Sequence, residues 1–175
     1  MTAIRRVSIL GAGTMGSAIA QHFCMKGLDV TLVDLKEDAL ERGFQMIRKN
    51  LEEARAKGLI NEENLKTCLS RLKCSAKQKD LAGSDLVVEA VFEDLGVKRT
   101  VFAELESSVG QDCILATNTS SFQVTDIAQG LKHPGRVVGV HYFYHAAKNK
   151  LVEIIPGKET RQNISADLFD FYAYY

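Results

Sequence analysis

Short apolar runs alternate along this chain with longer stretches in which apolar residues recur every three or four positions. The first run, Val7 to Leu10, leads into Gly11, Gly13 and Gly16 and then into a stretch of helical period. A second β-rich run, Val30 to Val33, ends on Asp34. Runs of this length read as strands, and the longer period reads as helix. Leu35, Ala39, Leu40, Phe44, Ile47, Leu51 and Ala54 fall on one face of a long helix that stops at Gly58. A second helix is predicted from Glu62 to Leu72, with Asn61 as N-cap and Asn64 in its first turn. The two are expected to project as a helical hairpin, followed by a short strand from Leu72 to Ala76. Asp85 to Ala90, D-L-V-V-E-A, predicts a strand covered on both faces. Asp94 to Val109 reads as helix, although Gly96 in its first turn weakens it by up to about 1 kcal/mol. Cys113 to Thr117 is the next strand, then a short helix around Phe122 to Leu131, strands from Arg136 to Phe143 and from Leu151 to Ile155, and a last helix from Ser165 to Tyr175.

This order indicates an α/β fold in one domain spanning residues 1–175: a Rossmann-like, doubly wound, mostly parallel sheet with a helical-hairpin insertion. Ligands bind such sheets at the C-terminal ends of the strands. Glycines at Gly11, Gly13 and Gly16 between a strand and a helix, with an acid at the end of the next strand, form a dinucleotide fingerprint. Gly11 permits the tight turn, Gly13 leaves room for a pyrophosphate, and Gly16 lets helix and strand pack closely. Thr14 and Met15 open the helix whose free N–H groups would hold the phosphate charge. Asp34 suits the two hydroxyls of the adenine ribose and repels a 2′-phosphate, so the expected cofactor is NAD rather than NADP.

Equal numbers of basic and acidic residues, 22 each, argue against nucleic acid as a partner. The longest apolar runs are too short to span a bilayer, and the N-terminal residues carry no leader-peptide pattern. Cys24, Cys68, Cys74 and Cys113 form no C-x-x-C pair and read as thiols in a reducing compartment, with no metal or disulfide expected. The expected location is the cytoplasm.

Four candidates for chemistry lie at or just past strand ends: Glu93, Asn118, Ser120 and His141. A histidine can take the hydroxyl proton as an alcohol is oxidised. Taken alone, His141 could equally be an ordinary strand-end residue. Glu153, between Val152 and Ile154 in an apolar strand, needs a partner there, and His141 on the neighbouring strand is the nearest candidate. His141 and His145 share one face only in a helix. In the extended backbone expected for Tyr142 to Tyr144 they stand roughly 13 Å apart, which excludes a shared metal. In T-N-T-S-S (117–121), Ser120 or Ser121 could bond a ligand or cap the helix near Phe122. Glu89 or Glu93 could serve a ribose or be a solvated loop acid.

Together, G-A-G-T-M-G-S-A-I-A, D-L-V-V-E-A-V-F-E-D-L-G-V-K, T-N-T-S-S and G-V-H-Y-F with K-L-V-E-I-I-P-G resemble the N-terminal NAD-binding domain of the 3-hydroxyacyl-CoA dehydrogenase family, in the family's order. The resemblance implies reversible hydride transfer between C3 of a 3-hydroxyacyl-CoA, or its 3-oxoacyl-CoA product, and NAD, in fatty-acid β-oxidation. It implies His141 as base, Glu153 as its orienting partner and Ser120 on the substrate oxygen, with Glu93, Lys98 and Asn118 on the cofactor. Arg55 and Lys57 at the hairpin tip are placed to meet CoA phosphates or to stay in solvent. Tyr144 and His145 stand where the family has Asn-Pro, which leaves acyl length open. The family chain continues into a helical domain that supplies a further catalytic asparagine, part of the acyl pocket and the dimer contact. This chain is therefore expected to be a separated N-terminal domain. An apolar patch at Leu168, Phe169, Phe171, Tyr172, Tyr174 and Tyr175 would invite homo-oligomers. Two rivals remain. One is a dinucleotide-binding module without turnover. The other is a hydroxyacid dehydrogenase that uses a lysine base, against which T-N-T-S-S and H-Y-F argue.

Overall fold

A computed structural model of the chain describes residues 4–174; the expected end of the last helix at Tyr175 and the reading of residues 1–3 lie outside them. Seven strands form one sheet in the order β3-β2-β1-β4-β5-β6-β7. They are β1 (Arg6–Leu10), β2 (Asp29–Val33), β3 (Leu72–Ser75), β4 (Leu86–Glu89), β5 (Ile114–Thr117), β6 (Val137–Tyr142) and β7 (Val152–Pro156). The first six run parallel, and β7 returns antiparallel on β6. The chain therefore reverses its direction of winding next to β1, and the C-terminal ends of β1 and β4 open a crevice there.

Helices cover both faces: α1 (Thr14–Met25), α2 (Glu37–Ala56), α3 (Glu62–Ser70), α4 (Leu95–Ser108), the single turn α5 (Val124–Ile127) and α6 (Gln162–Tyr174). One apolar core joins α1, α2, α3 and α6 to the sheet, and a second lies under α4 and α5. Central strands buried on both faces explain why β4 and β5 read as continuous apolar runs. Asn61 and Asn64 exchange side-chain and backbone hydrogen bonds at the start of α3, and Asp94 Oδ1 accepts from Val97 N–H to start α4 despite Gly96. Among the described residues no helix is long and apolar enough to cross a membrane.

Four expectations fail here for physical reasons. The hairpin does not project: Ile47 and Leu51 of α2 and Leu65 of α3 are buried in the core that α1 shares. Gly43 is the closest point, since a Cβ there would lie 2.6 Å from Ser17 Oγ and 2.9 Å from Ala12 O. Leu35, expected on the apolar face of this long helix, precedes it and is exposed, because α2 starts only after its N-cap Lys36. The short helix after β5 does not begin at Phe122, because Thr119 Oγ1 accepts from the N–H groups of Ser121 and Phe122 and turns the chain first. The aromatic end of α6 is not a patch. Leu168 and Phe171 are buried, Tyr172 packs on Phe23 and Tyr142, and of that group only Phe169 and Tyr174 face outward among the described residues.

Candidate active site

Beside the crevice, Gly11 sits at φ +107°, a conformation open to glycine, with Ala90 O only 2.5 Å from where a Cβ would stand. At Gly16 a Cβ would meet Gly11 O at 1.8 Å, so helix α1 can approach β1 only without a side chain there. Gly13 has nothing within 4 Å of its Cβ position. It opens on a cavity of about 310 Å³ lined on one side by Gly13, Thr14 and Met15 and on the other by Glu93, Lys98, Asn118 and Ser120. The α1 N-terminus has no side-chain cap and no acid in its first turn, so its first N–H groups point at this space uncompensated. An open cradle with free donors fits a dinucleotide pyrophosphate. A larger cavity, about 580 Å³, lies at the opposite end of the strands among Arg6, Ser84, Asp85 and Asp112. It is remote from the candidate chemistry and on the wrong side of a parallel sheet, so the smaller one is the site.

Asp34 lies half-buried at the end of β2. Its Oδ2 accepts from Ala12 N–H at 2.9 Å and its Oδ1 from Lys36 N–H at 3.0 Å. The carboxylate is thereby fixed beside the glycine loop with lone pairs remaining.

Across the cavity the carboxylates are not as expected. Glu89 is no loop acid: its side chain is 0% exposed and accepts from Lys98 Nζ at 2.7 Å, Thr117 Oγ1 at 2.7 Å and Val91 N–H at 2.8 Å. Lys98 is 1% exposed and also pairs with Glu93 Oε2 at 3.1 Å. Lys98 also lines the cavity, but both carboxylates engage its ammonium, so two of its three N–H donors are already taken up within the protein. Glu93 reaches the surface and accepts from Thr119 Oγ1 as well. Burial raises its pKa, but the bonds from Thr119 and Lys98 outweigh that and hold it below the ordinary glutamate value. Asn118 Oδ1 accepts from Tyr142 N–H at 2.9 Å, tying the end of β5 to the end of β6. Ser120 is exposed and caps nothing, which removes the capping alternative for it and for Ser121.

His141 and Glu153 are register partners across β6 and β7, and His141 Nδ1 lies 2.8 Å from Glu153 Oε2. A carboxylate there fixes the proton on Nδ1 and leaves Nε2 as the acceptor. Burial is not what brings the pair together, however: the Glu153 side chain is 50% exposed on the outer strand. The backbone after Tyr142 is not extended as expected either. It turns through 144–148, where His145 Nδ1 accepts from Ala147 N–H at 3.2 Å and its Nε2 meets Asn50 Nδ2 at 3.2 Å. Each histidine is thus engaged separately, and among the described residues no group of three or more His, Cys, Asp or Glu could hold a metal. Burial and then Lys148 lower the pKa of His145. At the hairpin tip Arg55 forms an ion pair with Glu62, which takes up the charge proposed for CoA.

A profile of the family described as "3-hydroxyacyl-CoA dehydrogenase, NAD binding domain" matches residues 6–174. The chain belongs to that family. A 3-hydroxybutyryl-CoA dehydrogenase of Clostridioides difficile is 37% identical over 155 residues, covering 89% of this chain and 55% of the relative. A fatty acid oxidation complex subunit alpha of Idiomarina loihiensis is 38% identical over 157 residues, 90% of this chain and 22% of the relative. The crystal structure of 3-hydroxybutyryl-CoA dehydrogenase from Escherichia coli K12 superposes with TM-score 0.96 at 35% identity, over 98% of this chain and 36% of that one. This chain of the 3-hydroxyacyl-CoA dehydrogenase NAD-binding family therefore spans from about a fifth to a little over half of these relatives.

Sequence reasoning missed Thr117, Thr119 and Asn50. It also left Glu89 undecided, although an acid inside D-L-V-V-E-A was the signal for a buried, partnered carboxylate.

Proposed function

We propose that this chain is the NAD-binding part of a (3S)-3-hydroxyacyl-CoA dehydrogenase that interconverts 3-hydroxyacyl-CoA and 3-oxoacyl-CoA. The observation that carries the reading is the His141–Glu153 pair at the strand ends that flank the glycine-lined cavity. Gly11, Gly13, Thr14, Met15 and Gly16 would hold the pyrophosphate, Asp34 the adenine ribose, and Glu93 with Asn118 the nicotinamide half. The dinucleotide, when bound, supplies the hydride acceptor. His141 Nε2 takes the hydroxyl proton while Glu153 stabilises the imidazolium at Nδ1, and Ser120 Oγ donates to the substrate oxygen. Lys98, almost fully enclosed at the cavity wall, holds the Glu93 carboxylate beside the cofactor. The chain carries free thiols, and a cytoplasmic enzyme of fatty-acid β-oxidation is the setting we infer.

A second reading has its own observation. Glu153 and Ser120 stand open to solvent, so this chain by itself is a dinucleotide-binding module with little turnover. Hydride transfer needs the reacting carbons held near contact with water excluded, and a misplacement of about 1 Å costs roughly a hundredfold. Oxidation of NADH by acetoacetyl-CoA, measured with the chain alone and with a helical domain of a relative supplied, separates the two. Turnover restored on addition supports the dehydrogenase. NADH binding with no turnover in either mixture leaves the module.

A further inference from the structure

The buried Glu89–Lys98 pair beside Glu93 has no direct role in the chemistry above, yet each of its members is held by more than one partner. Glu89 and Lys98 are both almost fully enclosed, with Glu89 at the last position of β4 and Lys98 in the first turns of α4. A buried ion pair loses most of its Coulombic gain to desolvation, and apolar residues of like volume often serve stability as well. What such a pair does supply is a fixed geometry. Here it fixes one thing in particular. Segment 90–94, which carries Glu93 to the cavity, forms no helix or strand; Ala90 and Val91 pack on the core at its start, but Phe92 beside Glu93 is 78% exposed, so the position of the Glu93 side chain depends on polar contacts. Its anchors are polar: Val91 N–H on Glu89, Thr119 on Glu93, and the Lys98 ammonium shared between the two carboxylates. Thr117, the register partner of Glu89 on β5, donates to the far oxygen of Glu89 and prevents its carboxylate from turning.

We propose that Glu89 is a positioning residue: locked by Thr117 and Val91, it anchors Lys98, which holds the Glu93 carboxylate in place to receive the hydroxyls of the nicotinamide ribose. This rests on the cofactor reading given above. Glu89 touches no ligand. Its effect is confined to the nicotinamide half of the dinucleotide, because the adenine half is held by Asp34 and the glycine loop on the other side of the cavity.

That confinement supplies the test. The whole chain is titrated calorimetrically with NADH and, separately, with ADP, which carries the adenine ribose and pyrophosphate but not the second ribose. Glu89→Gln should weaken NADH about tenfold and ADP by less than about twofold, the loss expected when a charged hydrogen-bond acceptor is misplaced. Thr117→Val keeps the shape and both charges while removing the lock, so it stands in if Glu89→Gln does not fold, and should give the same split at about threefold. A purely structural Glu89 would weaken both ligands together, and that result overturns the proposal. So does an NADH constant unchanged in either folded variant, when the wild type binds NADH better than ADP. A wild-type chain that binds NADH no better than ADP would overturn the cofactor reading itself, and the anchor with it.

Discussion

The glycine loop with Asp34 and the pair His141–Glu153 lie at the same end of the sheet but are held in opposite ways. The first is held by backbone: Ala12 and Lys36 N–H groups fix Asp34, and Gly11 and Gly16 fit where no side chain can. It sits between central parallel strands, buried on both faces. The second is held by two side chains gripping each other across the outermost ladder, with one of them half in water. A site that must recognise an invariant dinucleotide can be rigid throughout. A site that must take up a proton and admit a substrate is better placed at the margin of the sheet, where its surroundings can close over it.

This contrast is sharpest at His141. His141→Ala should lower turnover by about a hundredfold or more in the mixture supplied with a helical domain, while NADH affinity changes by less than about twofold, because the base acts mainly in the transition state. Calorimetry and steady-state rates on the same preparation check this. A parallel fall in both would mean that the two halves are not separable. Asp34→Ala is the complementary change and should narrow the preference for NAD over NADP by about tenfold, through lost ribose bonds and lost repulsion of the 2′-phosphate. If the ratio of the two dissociation constants does not move, Asp34 only braces the loop.

The remaining effect, on stability rather than on binding or turnover, is expected where the halves meet. His22 of α1 packs edge-on against Tyr142, the neighbour of His141. Burial, and secondarily Lys26, holds its pKa at about 4 rather than 6.5. The unfolded chain therefore takes up that proton first. The stabilising contribution is complete above 6.5 and is lost as pH falls toward about 4, by up to about 3 kcal/mol. Thermal melts across that interval should slope less steeply for His22→Phe. An identical slope would assign the acid sensitivity to carboxylates such as Glu93, whose pKa is also lowered.

The fold and the nucleotide loop were legible because period and glycine spacing are local signals: each predicted strand and helix is present, with ends shifted by a few residues. The polar groups were harder, and one rule shows why. An acid among apolar neighbours was taken to be buried and in need of a partner. Applied to Glu153 the rule found the correct partner for the wrong reason, since an apolar strand at the side of a sheet leaves one face wet. Applied to Glu89 it would have succeeded, yet only strand order says which apolar strand is central. The same gap hid Lys98. Its burial depends on α4 lying over β4 and β5, which no pattern within the helix reveals. Thr119 escaped because residue type alone does not tell which hydroxyl in T-N-T-S-S turns the chain.

The antiparallel return of β7 has a further consequence. His141 faces Glu153 because Val140 faces Ile154 and Gly139 faces Ile155, and a Cβ at Gly139 would stand 3.0 Å from Ile155 Cβ. A slip of one residue would send Glu153 to the opposite side of the sheet. The separation of acid and base is therefore counted in whole ladder steps, not set by the segment that joins the two strands. Residues 143–151 are therefore expected to accept changes of length and sequence without detuning the pair. Tolerance to insertion and a constant His141–Glu153 spacing then coexist on one pair of strands.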